Sequence, residues 1–199
     1  MENEIGLINQ LFKSGLQRFH LRKPDVSKEH YESILKSISP ENKRKIVLHQ
    51  YHELAGKYNV KGLHLREVYR KSLNERQIQD LKKELKKKNL SFSSSFHSLE
   101  ELEKTDGLFD YILLSPVFES ISKPGYASEN VFNPTYKKLK TPVIALGGIQ
   151  SNNIGKVKEL GFDGIAVLGA VWQNTQRAVT QLQEIQKEYS KHFTNSLNH

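Results

Sequence analysis

Short apolar runs alternate with amphipathic stretches along the chain. The runs are RFHL from Arg18, KIVLH from Lys45, GLHL from Gly62, LSFSSS from Leu90, DYILLS from Asp110, PVIALGG from Pro142 and DGIAVLG from Asp163. Their length and composition suit buried strands. Between them lie segments of helical spacing: SKEHYESILKSI behind Ser27, NERQIQDLKKELKKK capped by Asn74, SLEELEK, and SNNIGKVKELG closed by Gly161. The pattern opens on a helix, EIGLINQLFKSG, and not on a strand.

Strands alternating with helices imply parallel pairing through right-handed crossovers. Seven visible strands in repeated βα units predict an α/β fold, a TIM (β/α)8-type barrel lacking its first strand in this chain. An open doubly wound sheet is the alternative, but no G-x-G-x-x-G follows a strand. One phosphate-binding domain is expected over residues 1–190, with 191–199 a frayed tail. A barrel short of one strand exposes an edge that invites pairing, so a homodimer is expected.

Composition narrows the partners. The 199 residues are 37% hydrophobic and 26% charged, as in ordinary globular domains. No apolar run approaches the roughly 20 residues that span a bilayer, so no membrane partner is expected. The acidic start, Glu2 and Glu4, does not read as a secretory signal. Absence of cysteine excludes disulfides, thiolate ligands and a cysteine nucleophile, in keeping with a cytoplasmic location. A net charge of +8 points to anionic partners, either small molecules or nucleic acid. The densest basic run, DLKKELKKKNL from Asp80, carries no interleaved aromatic residue and reads as a solvated helix face. Nucleic acid is therefore not the expected partner; a phosphorylated small molecule is.

Active sites of barrels gather at the C-terminal ends of strands, where side chains alternate between two faces. His20 and Arg22 share one face of their run, Val47 and His49 another, His64 and Arg66 a third. With Phe19, Leu21, Leu48, Leu63 and Leu65 packed against outer helices, His20, His49 and His64 would enter one cavity. Three chemistries are open to them: metal ligation, proton transfer or hydrogen bonding to a heteroaromatic ligand, and plain satisfaction within the core. His52, at an expected helix start, reads as structural or exposed.

The anion side uses other residues. ESISK offers the hydroxyls of Ser120 and Ser122 and the ammonium of Lys123 within one turn, with Glu119 beside them as a carboxylate candidate or an exposed loop residue. ALGGI ends a strand in Gly147-Gly148, where a phosphate can approach backbone N–H groups, and VLGAV repeats the device with Gly169 and Ala170 opening the last helix.

These segments carry a resemblance. DYILLSPVFESISKPGY is similar to the DYI-x-x-GPVF-x-T-x-TK segment of the thiamine phosphate synthase/TenI superfamily, PVIALGGI to its PV-x-AIGGI, GIAVLGAV to its GVAV-x-S-x-I and VKGLHL to its ADGVHL. HSLEE resembles its S-x-HS-x-EE helix start, and the likeness runs from about Glu4 to Glu188. The resemblance implies a (β/α)8 barrel whose first strand precedes the opening helix, and a place in thiamine biosynthesis, where the synthase joins a pyrimidine diphosphate to a thiazole phosphate.

Carried over, it assigns pyrophosphate binding to Ser120, Ser122 and Lys123, thiazole phosphate binding to Gly147, Gly148 and Gly169, and ligand contacts to Arg22 and Ser95. His20 and Pro24 stand where the family has glutamine and lysine. Gln50 and Tyr69 stand where it has Mg²⁺-binding aspartates. Those replacements count against synthase chemistry, and Mg²⁺ is expected as cofactor only if that chemistry is retained. The TenI-type thiazole tautomerase needs no metal, but its histidine falls on Pro116. Tautomerase action through His20, His49 and His64, or ligand binding without catalysis, are the alternatives.

Overall fold

The computed structural model describes residues 4–119 and 139–193, in two compact units, residues 1–94 and 95–199. The first unit holds helices α1 (Glu4–Lys13), α2 (Lys28–Lys36), α3 (Pro40–Lys43), α4 (Leu54–Tyr58), α5 (Glu67–Lys71) and α6 (Glu75–Lys87). Its strands are β1 (Phe19–Leu21), β2 (Ile46–Leu48), β3 (Gly62–Leu65) and the greater part of β4 (Ser91–Phe96). They pair in parallel and in chain order: Phe19 faces Ile46, Val47 faces Gly62, and Gly62 faces Ser91.

All three residues of β2 are fully buried, as expected of a parallel strand covered on both faces, and this is why it reads as an unbroken apolar run. Tyr31 of α2 is equally buried, and its hydroxyl donates to the Leu21 carbonyl at 2.8 Å, fixing the end of β1. Both sequence-derived caps are present. Ser27 Oγ accepts from the His30 N–H, while Asn74 and Gln77 satisfy each other's backbone N–H groups in a capping box. Helix α6 buries Ile78 and Leu85 and leaves Lys83, Lys86, Lys87 and Lys88 exposed, a solvated basic face.

The second unit contains the end of β4, then β5 (Tyr111–Leu114), β6 (Val143–Leu146) and β7 (Gly164–Ala166), with helices α7 (Leu99–Lys104), α8 (Ile154–Glu159), α9 (Gly169–Trp172) and α10 (Ala178–Phe193). Here too the pairing is parallel, Leu114 facing Ala145 and Leu146 facing Ala166, so the C-terminal ends of β5, β6 and β7 lie level. Asp106 accepts from the N–H groups of Lys140 and Thr141, and Asp163 from that of Val143, which together hold the start of β6.

Two details differ from the sequence reading. Gly169 opens only the one-turn helix α9, not the last helix, because the chain turns again at Asn174 before α10 begins. Helix α10 also runs on through Lys191, His192 and Phe193, where Tyr189 and Phe193 stack at 4.4 Å. Among the described residues no helix is long and apolar enough to cross a membrane.

Candidate functional site

Strand register brings the three histidines of the first unit together. Leu48 faces Leu63, so the next step sets His49 opposite His64, and their rings stack at 4.1 Å with planes 22° apart. His20 faces Val47, two residues earlier, yet its ring meets both others edge-on, at centroid distances of 5.1 and 5.3 Å. His20 Nδ1 and His49 Nε2 share a hydrogen bond of 2.8 Å.

His64 faces Ser93 across the β3–β4 pairing, and its Nδ1 lies 2.9 Å from Ser93 Oγ. The same hydroxyl is 3.4 Å from the Leu63 carbonyl. A hydroxyl has one proton; donated to Leu63, it leaves a lone pair to accept from His64 Nδ1–H. That bookkeeping assigns the lone pair of His64 to Nε2. Ser93 was not singled out by sequence reasoning. The run SFSSS offers several serines, and only the register chooses this one; Ser95, two residues on, is half-buried on the same face of β4.

The cluster is electrically neutral at pH 7. Burial, with the Arg18 charge adding, pushes His20 down to about 3. Burial, with His20 and Arg22 adding, pushes His49 down to about 2. Burial also carries His64 well below its ordinary value. All three therefore present one N–H and one lone pair each, suited to hydrogen bonding, proton relay or metal ligation. His52 is partly buried, and its Nε2 has no hydrogen-bond partner among the described residues. Arg22 and Arg66 are exposed beyond β1 and β3, and both charges depress His49.

Gln50 follows His49, and both ends of its amide are engaged. Its Oε1 accepts from the Lys23 N–H at 2.7 Å and its Nε2 donates to the Lys23 carbonyl at 2.6 Å. The amide thus imitates a backbone partner and prolongs the β1–β2 pairing by one step. Tyr69, in α5, is 47% exposed and offers a neutral phenol. Neither residue supplies the carboxylate oxygen that a hard cation prefers, so Mg²⁺ does not fit at these positions. Among the described residues, His20, His49 and His64 are the group of three or more His, Cys, Asp or Glu side chains close enough to hold a metal ion.

In the second unit the diglycine turn follows β6, with φ of 99° at Gly147 and 65° at Gly148, a region open to glycine. The segment after β5 packs on this turn: Val117 N–H donates to Leu146 O at 3.0 Å and Phe118 N–H to Gly147 O at 3.1 Å. A Cβ on Gly147 would come within 2.9 Å of Pro116 Cα, and one on Gly148 would overlap the Glu119 carbonyl. Close backbone packing thus accounts for both glycines. Glu119 itself is exposed, and Gly169 begins α9 just past β7. Ser120, Ser122 and Lys123 lie outside the described residues.

A family model described as thiamine monophosphate synthase matches residues 1–171. The chain belongs to this family, the thiamine phosphate synthase/TenI superfamily. The thiamine-phosphate synthase of Clostridium tetani is 27% identical over 180 residues, covering 83% of this chain and 78% of that one. The match to the Listeria welshimeri thiamine-phosphate synthase is 35% identical over 83 residues but covers only 39% of this chain and 40% of that one. The solved thiamine phosphate pyrophosphorylase of Pyrococcus furiosus superposes with a TM-score of 0.74 at 20% identity, covering 96% of this chain and 91% of that one. This likeness shows a TIM-barrel-type fold.

Proposed function

We propose that this member of the family binds a phosphorylated thiazole or pyrimidine and does so without the Mg²⁺-dependent diphosphate chemistry of a synthase. The observation that carries the reading is Gln50, whose amide is spent on both backbone groups of Lys23 where the resemblance implies a metal-binding carboxylate. Phosphate recognition is assigned to Ser120, Ser122 and Lys123 with Gly147, Gly148 and Gly169. Gly148 abuts Glu119, the residue before Ser120, which supports that grouping. Arg22 and Ser95 are assigned further ligand contacts, and the neutral rings of His20, His49 and His64 hydrogen bonds to a heteroaromatic ring. A homodimer in the cytoplasm is part of the same proposal.

Thermal-shift measurements test it. Thiamine phosphate or the thiazole phosphate, with no added metal, is expected to raise the melting temperature by an amount that grows with ligand concentration. Saturation to 100 times Kd contributes about 2.7 kcal/mol. Formation of thiamine phosphate from both precursors in the presence of Mg²⁺ would show that synthase chemistry survives, and no shift with any phosphorylated ligand would remove the binding reading.

One observation favours a second reading, proton transfer on a phosphorylated thiazole. The direct His20–His49 hydrogen bond can pass a proton between rings, one accepting as the other donates. Replacing His20, His49 or His64 by Gln would then slow tautomerisation by roughly 100-fold or more. Rates unchanged from the parent in all three variants would end this reading and leave the binding one intact.

A further inference from the structure

We propose that His20, His49 and His64 form a site for one borderline transition-metal cation of the zinc or cobalt kind, with its fourth position open to an anion. The potential ligand nitrogens all lie within 4.8 Å of one another. A point equidistant from three nitrogens spaced at that limit is about 2.8 Å from each, against the roughly 2.0–2.1 Å of a zinc–imidazole bond. At that limit a shift of about 0.7–0.8 Å per ring closes the difference.

The three rings come from three neighbouring parallel strands, and they approach from different directions. His49 and His64 lie nearly parallel at 22°, while His20 stands at 76° and 78° to them. Ser93 holds His64 by Nδ1, the outer-shell hydrogen bond that presents Nε2 to a metal.

The donor set selects the ion. Three uncharged nitrogens suit zinc, cobalt or nickel and not magnesium or calcium, which take oxygen. Neutral ligands leave the full 2+ charge in place, and Arg22 and Arg66 at the adjoining strand ends add to it. The fourth ligand that balances this field is an anion, hydroxide or a phosphate oxygen. Three protein ligands with an open position is the arrangement of a metal that works on a ligand, whereas a closed four-ligand set is structural.

Binding is balanced without loss of a proton. The His20 Nδ1–His49 Nε2 hydrogen bond gives way to two nitrogen–metal bonds. Its shared proton moves to the far nitrogen of one ring, a tautomeric change. This inference does not rest on the phosphate-ligand reading, since the metal alone is the probe.

The test is titration of chelator-treated full-length protein with Co²⁺, followed by visible absorption. Four-coordinate cobalt gives intense d–d bands; the expected result is their appearance up to one equivalent, their loss on adding Zn²⁺, and their displacement by inorganic phosphate. His20→Gln and His49→Gln should each abolish the bands while circular dichroism stays that of the parent. Ser93→Ala should weaken cobalt binding by roughly 10–100-fold and leave the three ligands in place. His20 is the least buried of the three, so its variant decides the question if another fails to fold. No bands with the parent protein, or bands unchanged in folded His20→Gln, would overturn the proposal.

Discussion

Lowering the pH from 7 to 5.5 is expected to remove roughly 2–3 kcal/mol of folding stability through His20 and His49 alone. Their folded-state values lie at about 3 and about 2, against 6.5 for an exposed ring. A depressed value means that the unfolded chain binds protons that the folded chain refuses. The stability is therefore complete above the unfolded value and falls as the pH drops below 6.5 toward the folded values.

At pH 5.5 each unfolded ring is about nine-tenths protonated, and the linkage gained per ring between pH 7 and 5.5 is on the order of 1 kcal/mol. The two rings share a hydrogen bond, so the proton uptake belongs to the pair. His64 and His52, lowered by burial as well, act in the same direction. Carboxylates do not blur this window. Glu32, held at about 2 by Lys57 and Tyr58, loses its contribution only below the ordinary carboxylate value of 4.5.

Urea unfolding at half-unit pH steps, in chelator, measures the slope. A flat profile between pH 7 and 5.5 would contradict the burial of uncharged rings. So would a His20→Asn/His49→Asn double variant that keeps the parent's slope.

Much of this was legible in the residues, and the remainder has identifiable physical causes. Seven apolar runs become seven strands because parallel strands covered on both faces need continuous apolar character, as IVL in β2 shows. The caps at Ser27 and Asn74 were legible for the same kind of reason: a local hydrogen bond depends on local spacing. Alternation also set His20, His49 and His64 on matching faces.

Alternation cannot show stagger. That His49 lies level with His64 while His20 lies two residues lower is a property of register, fixed by packing between strands. The same limit hid Ser93 among its serine neighbours. Gln50 was concealed differently, since a resemblance marks the position where a metal ligand would stand but not the backbone that the amide satisfies instead. The diglycine was legible as a bend, and the tight seat it gives to Pro116 and Glu119 was not.

The same chemical change at two glycines of the first unit is expected to act with opposite sign. Gly62 opens β3 directly opposite Ser91 of β4, and a Cβ there would overlap the Ser91 hydroxyl and carbonyl. The hydroxyl can rotate aside; the carbonyl belongs to the strand backbone and cannot. Gly62→Ala must push β3 from β4, which places it at the upper end of overpacking costs, about 3 kcal/mol. Gly56, inside α4, has nothing within 4 Å of an added Cβ. There the methyl only restricts the unfolded chain, and Gly56→Ala should stabilise by about 0.5–1 kcal/mol.

The first change also reaches the site. Gly62 and Ser91 lie two residues before His64 and Ser93, so parting the strands lengthens the 2.9 Å contact that fixes the His64 tautomer. In nitrogen NMR of the folded fraction, the hydrogen-bonded His64 Nδ1–H signal should weaken in Gly62→Ala and persist in Gly56→Ala. Equal unfolding midpoints for the two variants would mean that β3 and β4 are not seated as tightly as Gly62 requires, and the register that gathers the three imidazoles would fall with them.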